Sequence, residues 1–106
     1  MTAMNMESYK KALAQNEKPV LVEFWAPWCS YCRKIGPAME RVAAQMEDSL
    51  IVGQVNIDDH PDVARREAVE VIPTLILYRG GKALGSIVAP ESKARIESFI
   101  RETLAK

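Results

Sequence analysis

The run Val20-Leu21-Val22-Glu23-Phe24-Trp25 is apolar on both of its alternating faces except at Glu23. A strand with one wet face alternates apolar and polar residues, so a run that does not alternate reads as a central strand covered above and below. A chain built around it lays helices on both faces of a sheet. The same strand leaves one acid in a core position. Shortly after it, Cys29-Ser30-Tyr31-Cys32 holds the only two cysteines of the chain. From Arg33 to Met46, residues Ile35, Met39, Val42, Ala43 and Met46 form the apolar stripe of an amphipathic helix. The cysteine pair therefore stands where a buried strand turns into a helix.

A helix start favours a thiolate. Unpaired backbone N–H groups and the positive end of the macrodipole stabilise an anion there and make a cysteine nucleophilic near neutral pH. With Cys29 opening the helix, Cys32 lies one turn on, on the same face. The two sulfurs can close a small disulfide or open into two thiols. Pro37 falls just past them and is expected to kink the helix, because proline removes a ladder hydrogen bond.

The remaining elements follow from periodicity. Asn5 is expected to N-cap a short surface helix with Met6, Tyr9 and Leu13 on one stripe, ended by the segment from Asn16 to Pro19. Leu50 to Ile57 alternates and reads as a second strand reached by a parallel crossover. Asp58-Asp59-His60-Pro61-Asp62 starts a third helix that runs to about Val69. Thr74–Tyr78 and Ala83–Val88 are apolar runs joined by Arg79-Gly80-Gly81-Lys82, an antiparallel hairpin turn. The last helix, from about Glu91 to Leu104, buries Ile96, Phe99, Ile100 and Leu104. The order αβαβαββα gives an α/β fold with a central mixed sheet of four strands, or five, and four helices on its two faces. No linker, repeat or low-complexity segment divides the chain, so residues 1–106 are expected to form one domain.

A chain of 106 residues is long enough to bury roughly two-thirds of the surface its unfolded form exposes. With 14 basic and 14 acidic residues it has no net charge, hence no electrostatic footprint for nucleic acid or an anionic membrane. Partners are expected to be proteins or small molecules. No apolar run approaches the ~20 residues of a membrane span, and Met1 to Glu17 carries lysines and polar residues where a signal peptide has an apolar core. These features point to the cytoplasm, where a close cysteine pair is more often catalytic or metal-binding than a permanent crosslink. Two thiolates fall short of four ligands, so a metal would need a dimer or His60. His60 itself reads as a solvated residue at a helix start, and Met4, Met6, Met39 and Met46 read as packing or surface residues.

Together these segments resemble the thioredoxin family over nearly the whole chain. Val22-Glu23-Phe24-Trp25-Ala26-Pro27-Trp28-Cys29 is similar to that family's strand and active-site entry, and Pro37 to its helix-kinking proline. Val55-Asn56-Ile57-Asp58 resembles its next strand, Ile72-Pro73-Thr74 its cis-proline loop, and Gly80-Gly81 its hairpin turn. Several separated motifs in the right order are more specific than a lone pair of cysteines. The departures are Ser30-Tyr31 where typical thioredoxins carry Gly-Pro, Glu23 for a buried aspartate, Gln54 for a common lysine, and Ala89 for a glycine of the substrate groove.

The resemblance implies a thioredoxin fold, a three-layer α/β/α sandwich, and a protein disulfide reductase serving cell redox homeostasis and electron transport. Cys29 would be the exposed attacking thiolate and Cys32 the more buried resolving thiol. Glu23, desolvated among apolar residues, is expected to have its pKa raised toward neutrality and to deprotonate Cys32 directly or through a water. The alternative is a strand-end acid that is exposed or paired with a lysine. Trp28 would cover the site and contact substrate, while Trp25 packs in the core. Ser30, Tyr31 and Ala89 would border the substrate, with the Tyr31 ring presented to a partner. The backbone of Ile72, ahead of a cis Pro73, would pair with an extended substrate segment.

No bound cofactor or metal is implied. An external reductant, a thioredoxin reductase or a small dithiol, would regenerate the pair. Disulfide-containing proteins and that reductase are the implied partners of a monomer. A disulfide oxidant or isomerase, a reductant dedicated to one enzyme, and a redox-inert binding scaffold are the rival readings. The exchange of Gly-Pro for Ser-Tyr motivates the hypothesis of a more oxidising disulfide than a typical thioredoxin's; a glutathione titration giving an equal or lower potential refutes it.

Overall fold

A computed structural model describes residues 1–15 and 17–106, so the expected role of Asn16 in ending the first helix lies outside the described residues. The chain order is β1 (Thr2–Ala3), α1 (Met6–Ala14), β2 (Val20–Trp25), α2 (Ser30–Gln45), β3 (Ile51–Asn56), α3 (Pro61–Arg66), β4 (Thr74–Arg79), β5 (Lys82–Val88) and α4 (Lys93–Leu104). The sheet order is β1-β3-β2-β4-β5, with β1 and β2 parallel to β3 and with β2, β4 and β5 antiparallel in turn. This is the expected mixed sheet in its five-stranded form, a thioredoxin fold.

Strand β2 lies at the centre, hydrogen-bonded to β3 and β4, and its first five residues are buried. Its period of two assigns alternate side chains to opposite layers. Leu21 packs with Ile35, Met39 and Val42 of α2 and with Ile96, Phe99 and Ile100 of α4. Val20, Val22 and Phe24 pack on the other face with Tyr9 of α1 and Val63 of α3. The two-sided apolar run thus draws two helices to each face because both faces must be removed from water.

Local signals set the helix ends. Asn5 accepts from the Ser8 backbone N–H at 2.9 Å, and Ser8 Oγ accepts from the Asn5 N–H at 3.0 Å, a reciprocal capping box. Helix α1 is less superficial than its sequence suggests, because Tyr9 is buried beneath it. Helix α3 ends at Arg66, short of Val69, and Ala68 just beyond it has φ 54°. Pro37 lies inside α2. Gly80 (φ 59°) and Gly81 (φ 79°) supply the left-handed turn of the β4–β5 hairpin, a region that glycine enters without steric cost. Gly53 answers a different need: a Cβ there would run into the Met4 thioether, which lies over β3 beside the short edge strand β1.

Candidate active site

Cys29 and Cys32 form a disulfide with Cα atoms 5.3 Å apart. Cys29 is the N-cap of α2, and its Sγ accepts from the Cys32 backbone N–H at 3.2 Å. A sulfur in that position already receives one of the orphan donors of the helix start, and would receive it as a thiolate too. The first turn of α2 contains no acid, and it carries Arg33, whose guanidinium donates to the Pro27 carbonyl at 2.8 Å. The local field therefore favours negative charge on Cys29.

Cys29 is the more accessible of the pair, but only just: 9% exposed against 4% for Cys32. The expected exposed attacking thiol is thus closed in while the disulfide holds it to its buried partner. Trp28 is 64% exposed, and its indole Nε1 donates to both carboxylate oxygens of Asp58, at 3.2 and 3.0 Å. The indole is pinned to the loop between β3 and α3 while most of its surface stays exposed. Ser30 is exposed at the first position of α2.

Behind the disulfide stands Glu23, 1% exposed. Leu21, two residues earlier on the same strand, packs against α2, so Glu23 faces the α2 layer as well. Its neighbour in register on β3 is Gln54, whose Nε2 donates to Glu23 Oε1 at 3.2 Å. Burial pushes the Glu23 pKa up to about 7, and the Gln54 hydrogen bond pulls it the other way. A neutral amide stabilises the carboxylate less than a cation would, so desolvation dominates. Glu23 is thus not exposed, and among the described residues no lysine pairs with it. A cavity of about 240 Å³ lined by Trp25, Gln54, Asn56 and His60 opens beside this amide. Trp25 is therefore a half-buried cavity wall rather than a core residue, and His60 is half-buried rather than solvated.

The Ile72-Pro73 peptide bond is cis, Pro73 is buried and Ile72 half-buried. Ala89 has φ 46°, a left-handed conformation disfavoured for a residue with a Cβ, and its N–H donates to the Pro73 carbonyl at 2.9 Å. Tyr31 departs from expectation. Its ring folds back, half-buried against the core of α2 and α4, because its hydroxyl finds an acceptor at the Pro90 carbonyl, 2.9 Å away.

Asp58 and Pro90 are partners that sequence reasoning did not place at the site, and neither had a local signal. Gln54 entered the sequence reading as the residue standing for a common lysine, and the structure sets it against Glu23. Among the described residues no three His, Cys, Asp or Glu side chains converge on a metal position, and no helix is long and apolar enough to cross a membrane.

A family model described as Thioredoxin matches residues 1–102. The thioredoxin of Porphyra purpurea is 34% identical over 98 residues, covering 92% of each chain. That of Acidithiobacillus ferridurans is 38% identical over 98 residues, covering 92% of this chain and 91% of its own. A chloroplastic M-type thioredoxin of Chlamydomonas reinhardtii is 35% identical over 102 residues, 96% of this chain and 73% of that one.

Proposed function

This chain belongs to the thioredoxin family and is a thiol–disulfide oxidoreductase with protein-disulfide reductase activity, and on that premise we propose the residue roles that follow. Cys29 is the nucleophile. Its thiolate attacks one sulfur of a substrate disulfide, forming a Cys29–substrate bond and releasing the other substrate sulfur as a thiolate that takes a proton from solvent. Glu23 accepts the proton of Cys32, and the Cys32 thiolate attacks Cys29 Sγ. The Cys29–Cys32 disulfide forms, the second substrate sulfur leaves as a thiol with the proton that Glu23 took from Cys32, and two electrons have passed from the protein to the substrate. The observation that carries this assignment is a disulfide at the start of α2 with a buried acid, poised near pH 7, on the strand behind it.

Family membership implies disulfide substrates and a reductase as electron donor in general. The finer reading is a monomer without a bound cofactor, reduced by a thioredoxin reductase or a small dithiol, in the cytoplasm. A close reactive cysteine pair in a chain of zero net charge supports it. The test is Cys32→Ser incubated with insulin. The variant should stall as a mixed disulfide on Cys29 that dithiothreitol releases; a folded variant that captures no insulin overturns the assignment of roles.

A further inference from the structure

Tyr31 sits between the two cysteines, yet its side chain leaves the cysteine turn for another part of the chain. Its hydroxyl donates to the Pro90 carbonyl at 2.9 Å, and Lys34 Nζ lies 5.9 Å from the ring centroid. One residue before Pro90, the Ala89 N–H donates to the Pro73 carbonyl at 2.9 Å. Two hydrogen bonds on adjacent residues therefore join the first turn of α2 to the loop that carries Ile72 and Pro73. Ala89 bears the conformational cost of this bridge. It is exposed and left-handed, so no burial of its own holds it there, whereas Pro90 beside it is buried.

We propose that Tyr31 is a positioning residue: through Pro90 and Ala89 it fixes the spacing between the sulfur of Cys29 and the backbone edge of Ile72. It thereby selects extended protein disulfides over small ones. A substrate segment that pairs with Ile72 while presenting its sulfur to Cys29 spans both ends of the bridge. A small disulfide reaches only the sulfur. Holding the two ends in register lowers the ordering cost of the spanning substrate alone. The inference rests on the roles assigned above to Cys29 and Cys32, and it adds the residue through which the site favours protein disulfides.

The test is Tyr31→Phe, which keeps the ring and its packing and deletes only the hydroxyl. Steady-state parameters are measured for insulin and for dithiobis(2-nitrobenzoate), a small aromatic disulfide. The ratio of the two KM values, insulin over the small disulfide, should rise about fivefold, the weight of one hydrogen bond, with kcat for insulin little altered. Exchange of the Ala89 amide with solvent should quicken in the same variant. A KM ratio that does not move, or an Ala89 amide as protected as in the parent, overturns the proposal. Failure of the parent protein to reduce either substrate would instead count against the roles of the cysteines.

Discussion

Glu23 on one face of the sheet and Glu67 against the other are treated in opposite ways. Glu23 is fully buried and has, among the described residues, one donor, the neutral amide of Gln54 at 3.2 Å. Glu67 is half-buried at the end of α3 and has two, the hydroxyls of Tyr9 and Tyr78, both donating to Oε1. The tyrosine rings meet edge to face with centroids 5.9 Å apart, and the two hydroxyls lie 3.1 Å from each other. Burial, with Glu67 adding to it, pushes Tyr9 up to about 12 and Tyr78 further up, so both stay protonated and remain donors at neutral pH. A carboxyl short of donors is left with a proton that exchanges near pH 7. A carboxyl supplied with them ties α1, α3 and β4 together instead. The same functional group thus has a proposed proton-transfer role on one face and holds structure on the other.

The sharpest way to break this contrast is Glu23→Gln. The folded pKa, about 7, stands above the ordinary 4.5, so the protonated acid contributes stability in full below about pH 4.5. That contribution is lost as the pH rises through 7. At about 1.4 kcal/mol per pH unit the loss is about 3 kcal/mol. Urea titrations of the parent should show this decline between pH 4.5 and 8, and the glutamine variant should lack it. Insulin reduction by Glu23→Gln at pH 7 should fall about a hundredfold, the ordinary weight of a positioned general base. If the decline persists in the variant, or the rate holds, Glu23 is not the proton acceptor. The tyrosines on the opposite face belong to another pH range: the stability that Tyr9 contributes is complete below 10 and lost as the pH passes about 12.

These two carboxyls also mark what the sequence can and cannot disclose. Glu23 is legible because it is one acid in an apolar run, and a run that does not alternate already states that both of its faces are covered. Periodicity likewise delivers β2 to β5 and the four helices to within a few residues. Strand β1 escapes because two residues, Thr2 and Ala3, have no period to read; their place is set by pairing with Gly53 and Gln54. The cysteine pair is legible from spacing. The contacts that orient it are not, since Trp28 meets Asp58 across 30 residues and Tyr31 meets Pro90 across 59. Tyr9 reads in the sequence as one more member of an apolar stripe, and its partnership with Glu67 spans 58 residues. Such partners are chosen by register and layer order, which exist only once the sheet has formed.

A smaller effect tests the structural pole. Glu67→Ala removes the acceptor shared by Tyr9 and Tyr78 and leaves two hydroxyls in a buried setting with only each other. Truncation that strands buried donors costs about 2 kcal/mol. In a domain of this size that lowers the thermal midpoint by roughly 10 °C. Glu67→Gln should recover part of the loss, because an amide oxygen still accepts. Neither variant should alter insulin reduction measured well below its melting point, since Glu67 caps α3 and bonds to Tyr9 and Tyr78, which belong to the layer opposite the disulfide. A Glu67→Ala protein that keeps its midpoint but loses turnover would erase the division of labour between the two faces, because the supplied carboxyl would then be acting on the cysteines as well.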